Sequence, residues 1–415
     1  MSTIEVNKIT PVSGGTAIQV GESGDTITVP SGATITNSGT ANNFTSYRPN
    51  AQALIINGSM DVAQRSANAT GLTSSGYKSI DRFYTTLYYT SSNVGTFTQS
   101  QSTDVPTGYG FRNSLKMNCT TAQGSLPASG QIAIRHTIEA QNMNPFKFGT
   151  SNAEKMTLAF WVKSNLTGTY NVSMYHQDGS STPQVNSQYS ISSANTWEKK
   201  VLVIPADTSN AFNDDNGQGL SIDWIMGTGS TYTGGTAPTT WSAFVNNTFN
   251  GGSTVNMASS TSNEWLITGI QLEVGEYTSA TIPPFQFETF ANNLLRCQRY
   301  YNIFGNNTGK PMGMAAFYTS TSAYVGPLVY PVEMRSTPTI TITGGSGDAE
   351  ATAGYALNHS AQNDWFQTFS SSASSTKECQ LYVSSGISGG DGDAGRCKIG
   401  DSEANKGKIE ASAEL

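Results

Sequence analysis

Apolar and polar residues alternate with a period of two in segment after segment between residues 46 and 285. Met156, Leu158, Phe160 and Val162 form one row, and Thr157, Ala159, Trp161 and Lys163 the row between them. Tyr170, Val172 and Met174 alternate with Asn171, Ser173 and Tyr175. Ile132, Ile134, His136 and Ile138 make a further row, as do Leu220, Ile222, Trp224 and Met226. Leu266, Ile270, Leu272 and Val274 are expected on one face of a late strand. Successive side chains of a strand point to opposite faces, so these rows describe strands with one face on a core. Gly, Asn, Ser and Asp lie between them, the residues that turns require. The pattern predicts an all-β chain built around an antiparallel sandwich, and nothing in it suggests βαβ units.

The flanks differ. Residues 1–45 hold only isolated apolar pairs, such as Ile18 with Val20 and Ile27 with Val29. They are too few to form a core in one chain. The segment is expected to be a thin β stalk or attachment segment whose pairs are buried between copies, with a flexible arm as the alternative. Residues 286–302 follow Pro283-Pro284, and Phe290, Leu294, Leu295, Cys297 and Tyr301 fall near helical spacing. A short connecting helix is predicted, packed on its own subunit or in a trimeric bundle. Residues 303–415 read as a second, smaller β domain and the receptor-binding tip. Its strands are expected at 338–343, 378–383 and 408–413, with Gly-rich loops at 344–354 and 385–395. Exposed loops of this kind commonly carry binding.

Composition narrows the function. Only 12% of residues are charged, against about a quarter in an average globular chain. With 10% aromatics, the chain is not of the disordered class. The net charge is −7 and there is no basic tract, which argues against nucleic acid as a partner. No apolar run reaches the length of about 18 residues that a membrane-spanning helix needs, so no membrane insertion is expected. MSTIEVNKIT at the start lacks the basic and apolar regions of a secretory signal, which suggests synthesis in a cytosol. Cys119, Cys297, Cys379 and Cys397 match no zinc spacing and are expected as buried small hydrophobes. A Cys379–Cys397 bridge is disfavoured in a reducing compartment.

Candidate chemistry is sparse. His136 lies in an apolar row, where a buried, hydrogen-bonded histidine is expected before a catalytic base. Neither a G-x-S-x-G elbow, a P-loop nor an HExxH pattern occurs. Asp214 and Asp215 in FNDDNGQG, and Asp391 and Asp393 in GGDGDAG, are candidate metal ligands. As hard oxygen donors they would suit calcium, the one cofactor weighed. The alternative at both places is a turn in which each Asp bonds local backbone amides. Sugar binding needs an exposed ring against the apolar face of a pyranose, with polar groups beside it. Trp161, Trp241 and Trp365 are the candidate rings, Trp365 foremost for its polar, distal surroundings. Trp197 and Trp224 are expected in the core.

An ordered series of segments carries a resemblance: LIINGSMDVAQR (54–65), GYKSIDRFY (76–84), SLKMN (114–118), TIEAQNM (137–143), LAFWVKSNLTGTY (158–170), WEKKVLVIPADT (197–208), NDDNGQGLSIDW (213–224), ITGIQLEVG (267–275) and LLRCQRYYN (294–302). It resembles the sandwich module of tail-fibre-like proteins of tailed bacteriophages, especially those of marine bacteria and cyanobacteria. MRSTPTITITG (334–344) is loosely similar to fibre tip domains. The resemblance implies a jelly-roll related to carbohydrate-binding modules. It also implies a homotrimer, an N-terminus held by phage tail or adaptor proteins, and a C-terminus directed at host surface polysaccharide. No catalytic residue comes with it. The expectation is a non-enzymatic virion tail fibre, made in the host cytoplasm, that mediates adsorption. The alternatives are a tailspike depolymerase and a purely structural virion or decoration protein.

Overall fold

The computed structural model describes residues 52–415 except 179–181, 306–307 and 360–361. The stalk expected at residues 1–45 lies outside the described residues.

The first part is an antiparallel sandwich of thirteen strands. They are β1 (Asn68–Leu72), β2 (Gly76–Tyr77), β3 (Phe83–Tyr88), β4 (Thr96–Ser102), β5 (Ser114–Thr121), β6 (Gln131–Glu139), β7 (Met156–Ser164), β8 (Gly168–His176), β9 (Pro183–Ile191), β10 (Glu198–Ile204), β11 (Gln218–Thr228), β12 (Ser242–Ala243) and β13 (Glu264–Val274). Six form one sheet in the order β1-β4-β5-β13-β7-β10, and seven form the other, β12-β9-β8-β11-β6-β3-β2. The apolar rows meet between the sheets. Phe97, Leu115, Leu158, Phe160, Trp265 and Ile267 come from the first, and Phe83, Ile132, Ile134, Val172, Met174, Ile222 and Trp224 from the second. This is the two-layer solution for strands with one apolar face.

One row departs from simple alternation. Trp265, Ile267, Ile270 and Leu272 face the core, whereas Leu266 was expected beside Ile270. The pairing of β13 with β7 slips between Thr268 and Gln271, and Gly269 adopts φ +63°. This bulge inserts one residue and exchanges the faces on either side of it. A Cβ at Gly269 would sit 2.5 Å from the Phe111 ring, so only glycine fits both the dihedral and the space.

The helix α1 spans Phe290–Gln298, with the Thr289 side chain accepting from Asn292 N as its cap. It is shorter than the 286–302 expected, and Tyr301–Phe304 is already a strand. That strand pairs with Lys408–Ser412, which pairs with Thr339–Thr343. A seven-stranded sheet follows in the order Gln362–Phe366, Tyr355–His359, Ala394–Ile399, Pro311–Thr319, Ser322–Val329, Glu378–Val383 and Ser370–Ser374. These strands share a second core, with Phe317, Tyr355, Leu357, Leu381, Ile399 and Ile409 at its centre. All four cysteines are buried and free.

His136 faces the core as its row predicted, but neither ring nitrogen has a partner among the described residues. Burial, then the charges of Arg82 and Arg296, hold its pKa well below the usual histidine value. Burial lowers His176 as well. A depressed histidine contributes its full stability above the unfolded value near 6.5 and loses it as pH falls towards the folded value. Asp81 acts in the opposite sense: burial raises it to about 6, so its contribution is lost as pH rises through that value. The two proteins being equal in Asp81, comparison of wild type with His136→Leu isolates the histidine. Urea midpoints measured from neutrality down to mild acid should fall less in the variant. Parallel curves would contradict this account of His136.

Candidate functional site

On the seven-stranded sheet of the sandwich, several polar side chains that point away from the core are nevertheless buried, among them Asn171, Ser173, Asn186, Ser221 and Asp223. β11 lies between β6 and β8, and its register sets Asp223 beside Arg135 on one side and Ser173 on the other. Arg135 Nε and Nη2 donate to the two Asp223 oxygens at 2.8 and 3.1 Å. Such a two-pronged pair fixes the guanidinium plane. Asp223 is fully buried, and the guanidinium carbon lies 5.9 and 5.4 Å from the ring centroids of Tyr84 and Tyr175. Burial foremost, then the Asp223 charge, raises the Tyr175 phenol far above its ordinary value, so it stays a neutral hydroxyl.

The segment between β11 and β13 folds over part of this face. Tyr232 and Phe249 pack with Ala133, Tyr175 and Ile225 into a small apolar cluster, with Phe244 against it. Phe244 meets the Tyr175 ring at 5.7 Å and 69°. Beside this cluster the segment leaves a cleft of about 620 Å³, lined by Gln131, Arg135, Tyr175, Gln177, Thr182, Tyr232, Ala243, Phe244, Asn246 and Phe249. Rings form one part of the wall, and amides, a hydroxyl and a guanidinium the rest. No carboxylate lines it among the described residues. A second cleft, of about 460 Å³, includes Asn186, Gln188, Val203, Thr236 and Gly252 in its walls.

None of the residues singled out from sequence lines the larger cleft. Trp161 stands half-buried on the outer face of the other sheet, its ring 4.3 Å from that of Tyr109. Trp241 is packed against Phe148 and His176, and its indole donates to Pro205 O at 2.8 Å. Trp365 lies on strand Gln362–Phe366 with Lys398 Nζ 4.7 Å from its ring centroid. Trp224 is in the core, but Trp197 is half-buried and donates to Asp104 at 2.9 Å.

The aspartates lie in turns. Asp214 accepts from Asn144 Nδ2 at 3.0 Å, and Asp215 accepts from Gly217 N at 2.7 Å. Asp393 accepts from Gly390 N at 2.7 Å, and Asp391 is exposed in the same turn. No group of three or more His, Cys, Asp or Glu placed to hold a metal occurs among the described residues. The signal that could have found the cleft is a charge in mid-strand. Arg135 stands in the middle of β6, and Asp223 is the sole charged residue of β11, in a charge-poor chain.

No family model and no curated protein matches the sequence. Solved structures with partial likeness include the enzymatically active domain of tailspike protein 4 of bacteriophage CBA120, at 15% identity and a TM-score of 0.28. The match covers 54% of this chain and 21% of that one, so the chain spans about a fifth of the tailspike domain's length. The family 11 carbohydrate-binding module of a Clostridium thermocellum cellulosomal cellulase matches at 9% identity and a TM-score of 0.24, over 51% of this chain and 98% of that one. A tandem of two family 22 modules from Paenibacillus barcinonensis matches at 10% identity and a TM-score of 0.24, over 85% of this chain and all of that one.

Proposed function

We propose that the chain is a tail-fibre subunit of a tailed bacteriophage that binds host surface polysaccharide through the cleft on the seven-stranded sheet of the sandwich. The observation that carries the glycan reading is the make-up of that cleft. Phe244, half-buried above the buried Tyr175, offers ring surface for the apolar side of a pyranose, while Arg135, Gln131, Gln177 and Asn246 can bond its hydroxyls. The ordered tail-fibre-like segments at residues 54–302 support the virion setting. In this reading the fibre is a homotrimer, its N-terminal segment joins the tail, and weak sites gain from being presented together.

Binding is favoured over hydrolysis. Cutting a glycosidic bond uses two carboxylates across the scissile oxygen, about 5 to 10 Å apart. The cleft wall offers none among the described residues, and Asp223 behind it is neutralised by Arg135. Purified protein should therefore retain capsular or lipopolysaccharide glycans on a panel without generating new reducing ends. Sustained release of reducing ends would replace this reading with the depolymerase. Absence of any retained glycan would leave the purely structural reading. Native mass spectrometry should give three chains per particle, and a monomer at micromolar concentration would refute the trimer.

A further inference from the structure

The six-stranded sheet carries a separate aromatic feature on its outer face. Trp161 stands there between Lys199 of β10 and Thr268 of β13, its neighbours in register. The loop between β4 and β5 crosses this face. Its Asp104 is anchored by Lys163 Nζ at 2.6 Å and by the Trp197 indole at 2.9 Å. At the tip of the loop Tyr109 lays its ring against Trp161, 4.3 Å between centroids at 49°. Tyr109 is 56% exposed. Its presentation is built into the backbone: Gly108 and Gly110 on either side adopt φ +87° and +84°, a conformation other residues rarely take.

The cations of this sheet are matched with one exception. Lys116 pairs with Glu264, Lys163 with Asp104 and Lys200 with Glu198. Lys199 is exposed, sits directly across from Trp161, and has no acidic partner among the described residues. An exposed tyrosine ring laid against a half-buried tryptophan, beside an uncompensated ammonium, matches a sugar with an apolar face and a negative charge.

We propose that Tyr109, Trp161 and Lys199 form a second saccharide site, specific for a pyranose bearing a carboxylate, on the opposite face of the sandwich from the cleft. The ring faces cover the pyranose and the ammonium pairs with the carboxylate. The proposal rests on the reading that this sandwich binds glycan, but on none of the residues of the cleft. Two sites on opposite faces would let one chain bridge two strands of an acidic polysaccharide.

The test is calorimetric titration of the full chain with trigalacturonate, a hyaluronan tetrasaccharide and sialyllactose, each beside its neutral methyl ester. At least one acid form should bind about tenfold tighter than its ester, and the preference should shrink as salt rises from about 0.05 to 0.5 M. Lys199→Gln should abolish the preference, and Tyr109→Ala should weaken acid and ester alike. Equal binding of every acid and its ester would overturn the proposal, as would indifference to Lys199→Gln and Tyr109→Ala. If Phe244→Ala alone removes all binding, the second site fails while the cleft stands. If no glycan of any kind binds, both readings fail together.

Discussion

Replacing Arg82 by methionine is expected to lower stability by about 3–5 kcal/mol, the range for breaking a buried ion pair from one side. Arg82 is 1% exposed and pairs with Glu414, itself 7% exposed. Its Nη2 also donates to Thr137 O at 2.7 Å, and its guanidinium lies 3.4 Å from the Tyr300 ring centroid. Arg65 reaches the same carboxylate at 3.1 Å. The partners stand 332 residues apart in sequence, so the pair ties the last strand region to the sandwich. The backbone at Arg82 holds φ +70°, an unfavourable conformation for a non-glycine residue that surrounding packing must sustain. Glu414→Gln should be costly for the converse reason, since it leaves a buried guanidinium facing a neutral group. The double variant Arg82→Met/Glu414→Leu should recover much of the loss, because an apolar pair carries no desolvation penalty. Urea unfolding of the singles and the double decides this. Losses that simply add would show that the two side chains do not act as a pair.

The second large effect is expected in binding. Phe244→Ala should weaken glycan binding about 10- to 100-fold, the loss typical of truncating an aromatic anchor. Phe244 is half-buried, so its removal opens one wall of the cleft while Tyr175, Tyr232 and Phe249 keep their cluster. Arg135→Met is a less clean probe, since it strands the buried Asp223 and should destabilise the fold as well. Tyr175→Phe keeps the ring and should lose little, provided the affinity comes from the ring face. Titration against the best glycan of a panel, with melting curves to check folding, reads these effects. Unchanged affinity in folded Phe244→Ala would remove the cleft from the account.

Much of the sandwich was legible because one face of each strand is buried. Leu158, Phe160 and Val162, or Ile222, Trp224 and Met226, announce themselves by parity alone. Parity failed at β13, where the Gly269 bulge exchanges the faces on either side of it. In the second β unit the strand Ser370–Ser374 has the sequence SSSAS and offers no apolar signal at all. Ala394–Ile399 emerges directly from the Gly-rich loop that was read up to residue 395.

The cleft was not legible for a different reason. Arg135 and Asp223 are 88 residues apart, and only the register of β6 with β11 brings them together. Trp241 drew notice as a lone ring in polar sequence, yet its indole donates to Pro205 O and its ring packs against Phe148 and His176. Tyr175 drew none, because on its strand it counted as the polar row. Residue type identified the rings, but their availability depends on what folds over them.

The most direct test of the central claim is to locate the sugar itself. A crystal structure of the protein with the best-binding oligosaccharide of the panel should show a pyranose ring against Phe244. Its hydroxyls should lie within hydrogen-bonding distance of Gln131, Gln177 or Asn246. An oligosaccharide bound elsewhere on the chain, with this cleft empty at saturating concentration, would contradict it.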